Sequence, residues 1–91
     1  MKKKTERTSV SYDPVTLSET ASVQFSKTVK GTGTSIYGKI IKEGTEVGQV
    51  AYEESGGYLI TTIKPFSSLT KEEVAALYAE VPACIDEMLN D

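Results

Sequence analysis

The sequence predicts an α+β domain, a four-stranded antiparallel β-meander followed by one kinked C-terminal helix. Between residues 21 and 64, short segments of alternating apolar and polar residues are separated by glycine-containing turns, which is typical of β-hairpins. After residue 69 the apolar residues change to helical spacing. No helix-length segment separates the strands, so we expect neighbouring strands to run antiparallel.

The first predicted strand covers residues 21–30, where apolar residues alternate with Ser, Gln and Thr. Lys27 is the exception in its apolar phase, and we expect it at a sheet edge with its aliphatic stem packed. Turns at 31–34, 43–46 and 55–57 then separate three further strands, predicted over residues 36–42, 47–53 and 58–64.

The start of the helix carries the sharpest local signal. Thr70 and Glu73 have the spacing of a capping box, in which each side chain accepts a hydrogen bond from the other residue's amide. The predicted apolar stripe then consists of Val74, Leu77, Tyr78, Val81, Ile85 and Met88. Pro82 interrupts a helix by its missing amide, but the stripe keeps its phase across it. We therefore expect one kinked, continuous helix rather than two pieces over 71–80 and 83–90.

Residues 1–19 are rich in Ser, Thr and charge, and they predict a flexible N-terminal arm before a single domain over 20–91. Mobility is expected most clearly for residues 1–9. The alternating apolar residues between Val10 and Leu17 leave open an additional edge strand in this arm.

Two of the predicted strands carry bulk on both faces. In the second, Ile36 and Ile40 alternate with Tyr37 and Ile41; the fourth has the same pattern, with Leu59 and Ile63 against Tyr58 and Ile60. One helix covers only one face of a sheet. The other face needs a cover, and the candidates are the N-terminal arm or a second copy of the chain.

The composition excludes several kinds of chemistry. The chain has no histidine and one cysteine, Cys84, so it lacks the residues of a Ser-His-Asp or Cys-His site and of a usual zinc site. Its adjacent carboxylate pairs point in different directions on a strand or helix and form no acid/base dyad. We expect a non-catalytic domain without a cofactor, with Cys84 as a small core residue.

The net charge of −3 and the pI near 5.0 provide no overall attraction to phosphate or anionic lipid. No stretch approaches the ~18 apolar residues of a membrane span. The basic first residues lack the apolar run of a signal peptide. We therefore expect a cytoplasmic protein that does not associate with membranes.

One candidate site concerns nucleic acid. Tyrosines that stack bases beside lysines that follow a phosphate backbone are typical of single-strand binding. The candidate residues are Lys27, Lys30, Tyr37, Lys39, Lys42 and Lys64. Glutamates in the same hairpins weaken this interpretation, because they repel phosphate.

The C-terminal segment also resembles a known group of domains. A four-stranded meander followed by Ser68-Leu69-Thr70-Lys71-Glu72-Glu73, Leu77, Val81-Pro82 and Ile85-Asp86-Glu87 is similar to the single-stranded-DNA-binding domains of the transcriptional positive-coactivator type. It also resembles the whirly and Pur-type modules. The resemblance covers about the last quarter of the chain, and it implies a homodimer whose curved sheets bind single strands. The strands here lack the dense basic and aromatic rows of those families.

Two hypotheses follow. The first is a self-associating interaction or accessory module, a homodimer that can also take a protein partner. The alternative is a single-stranded DNA- or RNA-binding domain that uses its sheet face. The five lysines of the predicted sheet distinguish them, because clustering on one open face favours nucleic acid and scattering favours protein.

The capping box yields a stability prediction. Replacing Thr70 by alanine removes the N-cap acceptor and half of the reciprocal pair, so we expect a loss of about 1 kcal/mol. Equilibrium urea unfolding measures it. An unchanged midpoint with an unchanged slope would contradict the capping assignment.

Overall fold

The computed structural model describes residues 3–5, 9–30, 33–54, 56–62 and 68–90. It confirms an α+β domain with an antiparallel sheet and one C-terminal helix. The elements are β1 (Lys3–Thr5), β2 (Ser9–Tyr12), β3 (Val15–Thr16), β4 (Ala21–Lys30), β5 (Gly33–Lys42), β6 (Thr45–Glu53), β7 (Gly57–Thr62) and α1 (Lys71–Leu89).

The predicted number of strands was wrong. The sheet has the order β1-β2-β4-β5-β6-β7, and β3 also pairs with β4. Because β5 occupies one edge of β4 along its whole length, β3 lies beside β2 on the other edge. The sheet is therefore six strands wide instead of four. The additional strands come from the segment predicted as an arm, where they are short and Asp13-Pro14 interrupts the alternation.

Residues 9–12 and 15–16 of the predicted arm belong to the sheet as β2 and β3, whereas the domain boundary at residue 20 stays a prediction. Val10 pairs with Lys27 and Val15 with Val23. Val10 and Tyr12 are buried in the same core as the helix. The segment therefore widens the sheet in its own plane and leaves the second face uncovered. The mobility of residues 1–9 stays a prediction, and residues 1, 2 and 6–8 lie outside the described residues.

The β4–β5 hairpin has one uninterrupted register, whereas the β5–β6 register shifts between Ile40 and Ile41. β4 and β5 pair over ten positions, from Ala21 with Lys42 to Lys30 with Gly33, and the intervening residues 31 and 32 lie outside the described residues. Two residues connect β5 to β6: Glu43 with φ 50° and Gly44 with φ 81°. Positive φ at both central positions is typical of a type I′ turn, whose twist matches that of the flanking strands.

α1 is one continuous helix that runs through Pro82, as expected, and the kink stays a prediction. Thr70 is its N-cap, and both hydrogen bonds of the capping box are present. The predicted stripe was partly wrong, because Val74 and Tyr78 are 36% and 59% exposed. The face of α1 that is buried against the sheet differs from the predicted stripe by including Glu73 and Cys84 in place of Val74 and Tyr78. Its buried residues are Glu73, Leu77, Val81, Cys84, Ile85 and Met88.

The core lies between α1 and one face of the sheet. Strand alternation places the odd residues of β4 and the even residues of β5 on that face, including Val23, Phe25, Ile36 and Ile40. Ile40 is fully buried, whereas its neighbour Ile41 points to the opposite face and is half-buried. Substitutions at these two adjacent isoleucines therefore compare the helix-covered face of the sheet with the opposite face.

This contrast can be tested with matched substitutions. We expect Ile40→Val to lower the free energy of unfolding by about 0.5–1.5 kcal/mol, because it leaves a cavity in the core. Ile41→Val removes the same methylene group from the uncovered face and should change stability by less than about 0.5 kcal/mol. Urea unfolding of the two variants measures both. Equal losses would contradict the face assignment.

Candidate functional site

We call the face of the sheet opposite α1 the open face. The described elements lie either in the sheet or on its helix-covered side. Among the described side chains of the open face, most carry small hydroxyl or amide groups, and the charged ones are Lys39, Glu46 and Glu53. By register, its described residues are Ser9, Ser11, Thr16, Ser22, Gln24, Ser26, Thr28, Ser35, Tyr37, Lys39, Ile41, Glu46, Gln49, Ala51, Glu53, Leu59 and Thr61.

An apolar row crosses three strands of the open face. Tyr37 on β5 is the register partner of Ala51 on β6, which in turn is the partner of Leu59 on β7. Leu59 is 62% exposed and Tyr37 is 37% exposed. Cross-strand neighbours on one face have Cβ atoms ~4.5–5.5 Å apart, so this row forms one contiguous apolar strip that ends at the β7 edge.

A shallow pocket lies beside this row, where the second edge of β4 changes from β2 to β3. Ser11 pairs with Ser26 and Val15 with Val23, so three residues face two and the ladder is interrupted. The opening has a volume of about 280 Å³ and is lined by Ser11, Tyr12, Pro14, Gln24, Phe25, Ser26, Tyr37 and Lys39. Its lining combines three aromatic residues, one lysine and several neutral hydrogen-bonding side chains.

The structure scatters the predicted nucleic-acid residues. Tyr37 and Lys39 share the pocket on the open face. Lys27 and Lys42 belong to the helix-covered side of the sheet. Lys30 ends β4, and its side chain lies outside the described part of the chain, as does the whole of Lys64.

Lys27 was expected at a sheet edge, and this was wrong. β4 lies between β2 and β5, and Lys27 is only 8% exposed. Its Nζ donates a hydrogen bond to the Met88 carbonyl oxygen at 2.9 Å, at the C-terminal end of α1. A cation there complements the negative end of the helix dipole. Its place in the apolar phase of the strand already indicated the buried side, but no sequence signal identified the helix carbonyl as its partner.

Lys42 holds the opposite end of the helix. Its Nζ lies 2.8 Å from Oε1 and 2.7 Å from Oε2 of Glu73. The side chain of Lys42 is 17% exposed and that of Glu73 is 4% exposed. Glu73 also accepts hydrogen bonds from the Ser18 hydroxyl and from the Thr70 amide. We call these four residues the helix-start junction.

The helix-start junction lowers the pKa of the Glu73 carboxyl group. The hydrogen bond from Lys42, followed by those from Ser18 and the Thr70 amide, lowers the pKa of Glu73 from 4.5 to about 2, against the opposing effect of burial. The pKa of Cys84 moves upward, chiefly because burial disfavours the thiolate, so this cysteine remains a protonated core residue.

Comparison with known proteins adds no relative, because no protein-family model, curated protein or solved structure matches the chain. Within the described ranges, no three or more His, Cys, Asp and Glu side chains are grouped to hold a metal ion. In the same part of the chain, no helix combines the length and apolarity needed to cross a membrane. The open face and its β7 end thus remain the candidate site.

The pKa of Glu73 yields a pH prediction. A carboxyl with a lower pKa in the folded state contributes stability above its unfolded pKa, and that contribution is lost as the pH falls toward the folded pKa. We expect wild-type stability to fall between about pH 5 and pH 2.5, and Glu73→Gln to lose less over this range.

Urea midpoints across this pH range provide the measurement. Glu72→Gln is the matched control, because Glu72 carries the same charge in the same helical turn but is exposed. It should retain the wild-type pH dependence. The same dependence in wild type and Glu73→Gln would contradict the role of the junction.

Proposed function

We propose that the chain is a small, non-catalytic interaction module that associates with a second copy of itself. The uncovered apolar row of Tyr37, Ala51 and Leu59 carries this proposal. Full burial of a Leu side chain contributes roughly 1.5–3 kcal/mol of stabilisation, and most of this is not gained in one chain because Leu59 is largely exposed. A homodimer recovers it twice, since the same patch serves both partners of an isologous contact.

The position of the N-terminal segment supports a second chain as the cover. The sequence alone leaves residues 10–17 as the alternative cover for the second face. They lie instead in the plane of the sheet, with Val10 and Tyr12 buried on the side of α1. These residues therefore leave the apolar row of the open face uncovered within one chain, and a second chain remains as the cover for that row.

The size and chemistry of the open face set the expected affinity. Six strands spaced ~4.8 Å apart, with ten-residue central strands, present roughly 24 by 33 Å at most. A contact across the whole face would bury close to the ~800 Å² per partner of a standard interface. Most of the face is Ser, Thr and Gln, however, so little of that area is apolar. We therefore expect a dimer that forms at micromolar concentration, with the same surface open to a protein partner.

Single-stranded nucleic acid is the second candidate, because Tyr37 and Lys39 both line the pocket. This arrangement suits one stacked base and one phosphate. The affinity of such proteins depends on the number of phosphates neutralised. Among the described side chains of the open face, Lys39 is the one lysine beside the two glutamates Glu46 and Glu53, and this balance ranks nucleic acid below protein. We further propose a cytoplasmic location, as the sequence led us to expect.

Sedimentation equilibrium over a hundredfold concentration range tests self-association. We expect a mass near twice that of the 9.9 kDa chain at micromolar concentration. Leu59→Ser should weaken the dimer at least tenfold, because about 1.4 kcal/mol of lost burial corresponds to that factor.

Tyr78→Ser is the matched control, since Tyr78 is 59% exposed but lies on α1, away from the open face. It should leave the dimer unchanged. A monomer at every concentration would reject the proposal. Titration with a single-stranded oligonucleotide at two salt concentrations tests the second candidate function. Nucleic-acid binding requires tight binding whose affinity falls as the salt concentration rises.

A further inference from the structure

The sheet ends in two edges of very different character. Among the described residues, β1 pairs only with β2, and β7 pairs only with β6. The outer side of an edge strand presents N–H and C=O groups that can pair with another strand. Each edge is therefore a possible site of strand addition, and its residues decide whether pairing is favourable.

The two edge strands differ in charge: β1 contains charged residues and β7 does not. β1 has the sequence Lys-Lys-Thr. Lysine on an edge opposes pairing, because two copies would bring like charges together. β7 has the sequence Gly-Tyr-Leu-Ile-Thr-Thr, without a charged residue or a proline. It is also rich in β-branched and aromatic residues, which favour strands.

We propose that β7 pairs antiparallel with β7 of a second copy, so that the two sheets join into one across the dimer. This inference rests on the proposed self-association and names its mode. The partner is a second copy, because pairing one uncharged edge with itself provides hydrogen-bond partners for the outer backbone groups of β7 in both chains. The charged β1 edge is a poor match, so the assembly closes as a dimer instead of growing into a filament.

The faces determine the register. Paired residues of antiparallel strands point to the same side of a sheet, so the twofold axis must pass beside a residue, not between two residues. An axis beside Leu59 places it opposite the partner's Leu59. Leu59 has the largest exposed fraction among the large apolar side chains that the structure describes, and it ends the apolar row. This register joins the two apolar rows into one strip and buries both Leu59 side chains.

Pairing at the edge also suits the chemistry better than stacking two open faces. Stacking would press Ser, Thr and Gln side chains together and would bring Lys39, Glu46 and Glu53 into the contact. Burying such groups without matched partners is unfavourable. Edge pairing instead satisfies backbone groups with backbone groups and leaves the polar face hydrated.

Disulfide cross-linking tests this geometry. Leu59→Cys is placed in a Cys84→Ala background, oxidised mildly at a concentration where sedimentation shows a dimer, and run on a non-reducing gel. Cysteines directly opposite across antiparallel strands lie ~4.5–5.5 Å apart at Cα, within disulfide range. We expect a band at twice the monomer mass.

Two variants on the same face serve as controls. Tyr37 lies two strands from the edge. In the proposed dimer it is about 24 Å from the partner's Tyr37, so Tyr37→Cys should not cross-link. Thr61 lies on β7 itself, two residues beyond Leu59. Thr61→Cys should also not cross-link, because the register places the two copies about 14 Å apart.

A second pair of variants keeps Leu59 in place. Chains carrying Tyr58→Cys and chains carrying Ile60→Cys should cross-link to each other when mixed, because these positions are opposite in the proposed register. A dimer whose chains cross-link through Tyr37→Cys would indicate stacked open faces and overturn edge pairing. Cross-linking through Thr61→Cys would overturn the register. A sedimenting dimer with no cross-link at β7 would overturn the inference and leave self-association standing, whereas a monomer would reject both.

Discussion

The buried contact between Lys42 and Glu73 is the interaction on which the rest of the structure depends. One carboxylate accepts hydrogen bonds from the last residue of β5, from the N-cap amide of the helix, and from Ser18 in the segment before β4. Ser18 in turn accepts from the amides of Thr20 and Ala21. Burying a charge is unfavourable unless it is paired and hydrogen-bonded, and these partners meet that requirement. The helix therefore starts at a defined place over the sheet.

This anchoring decides which surface is available for binding. The contact of Lys27 with the Met88 carbonyl holds the other end of the helix, so both ends of α1 are tied to the same face by lysines. Those two lysines serve the fold and are not offered to a ligand. With the N-terminal strands in the plane of the sheet, the opposite face and the β7 edge remain free among the described residues. The proposed function follows from this division.

The sequence predicted the parts of the fold that depend on local signals. The main hairpins, the capping box and the helix through Pro82 are present because turn residues, alternation and capping act over a few residues. The sequence left open one additional edge strand before Ala21 but could not establish these strands, because they are short and depend on pairing with β4 for stability. The partners of Lys27 and Lys42 lie 61 and 31 residues away, which no local pattern encodes. The apolar row and the pocket likewise depend on strand register.

The central claim is that α1 closes one face of the sheet and that the β7 edge is left for a second copy. Amide hydrogen exchange at low and high protein concentration tests it most directly. We expect alternate amides of β7, those that point away from β6, to exchange more slowly at high concentration, while exchange on the exposed side of α1 around Tyr78 does not change. Concentration-dependent protection on α1, or none at β7, would contradict it.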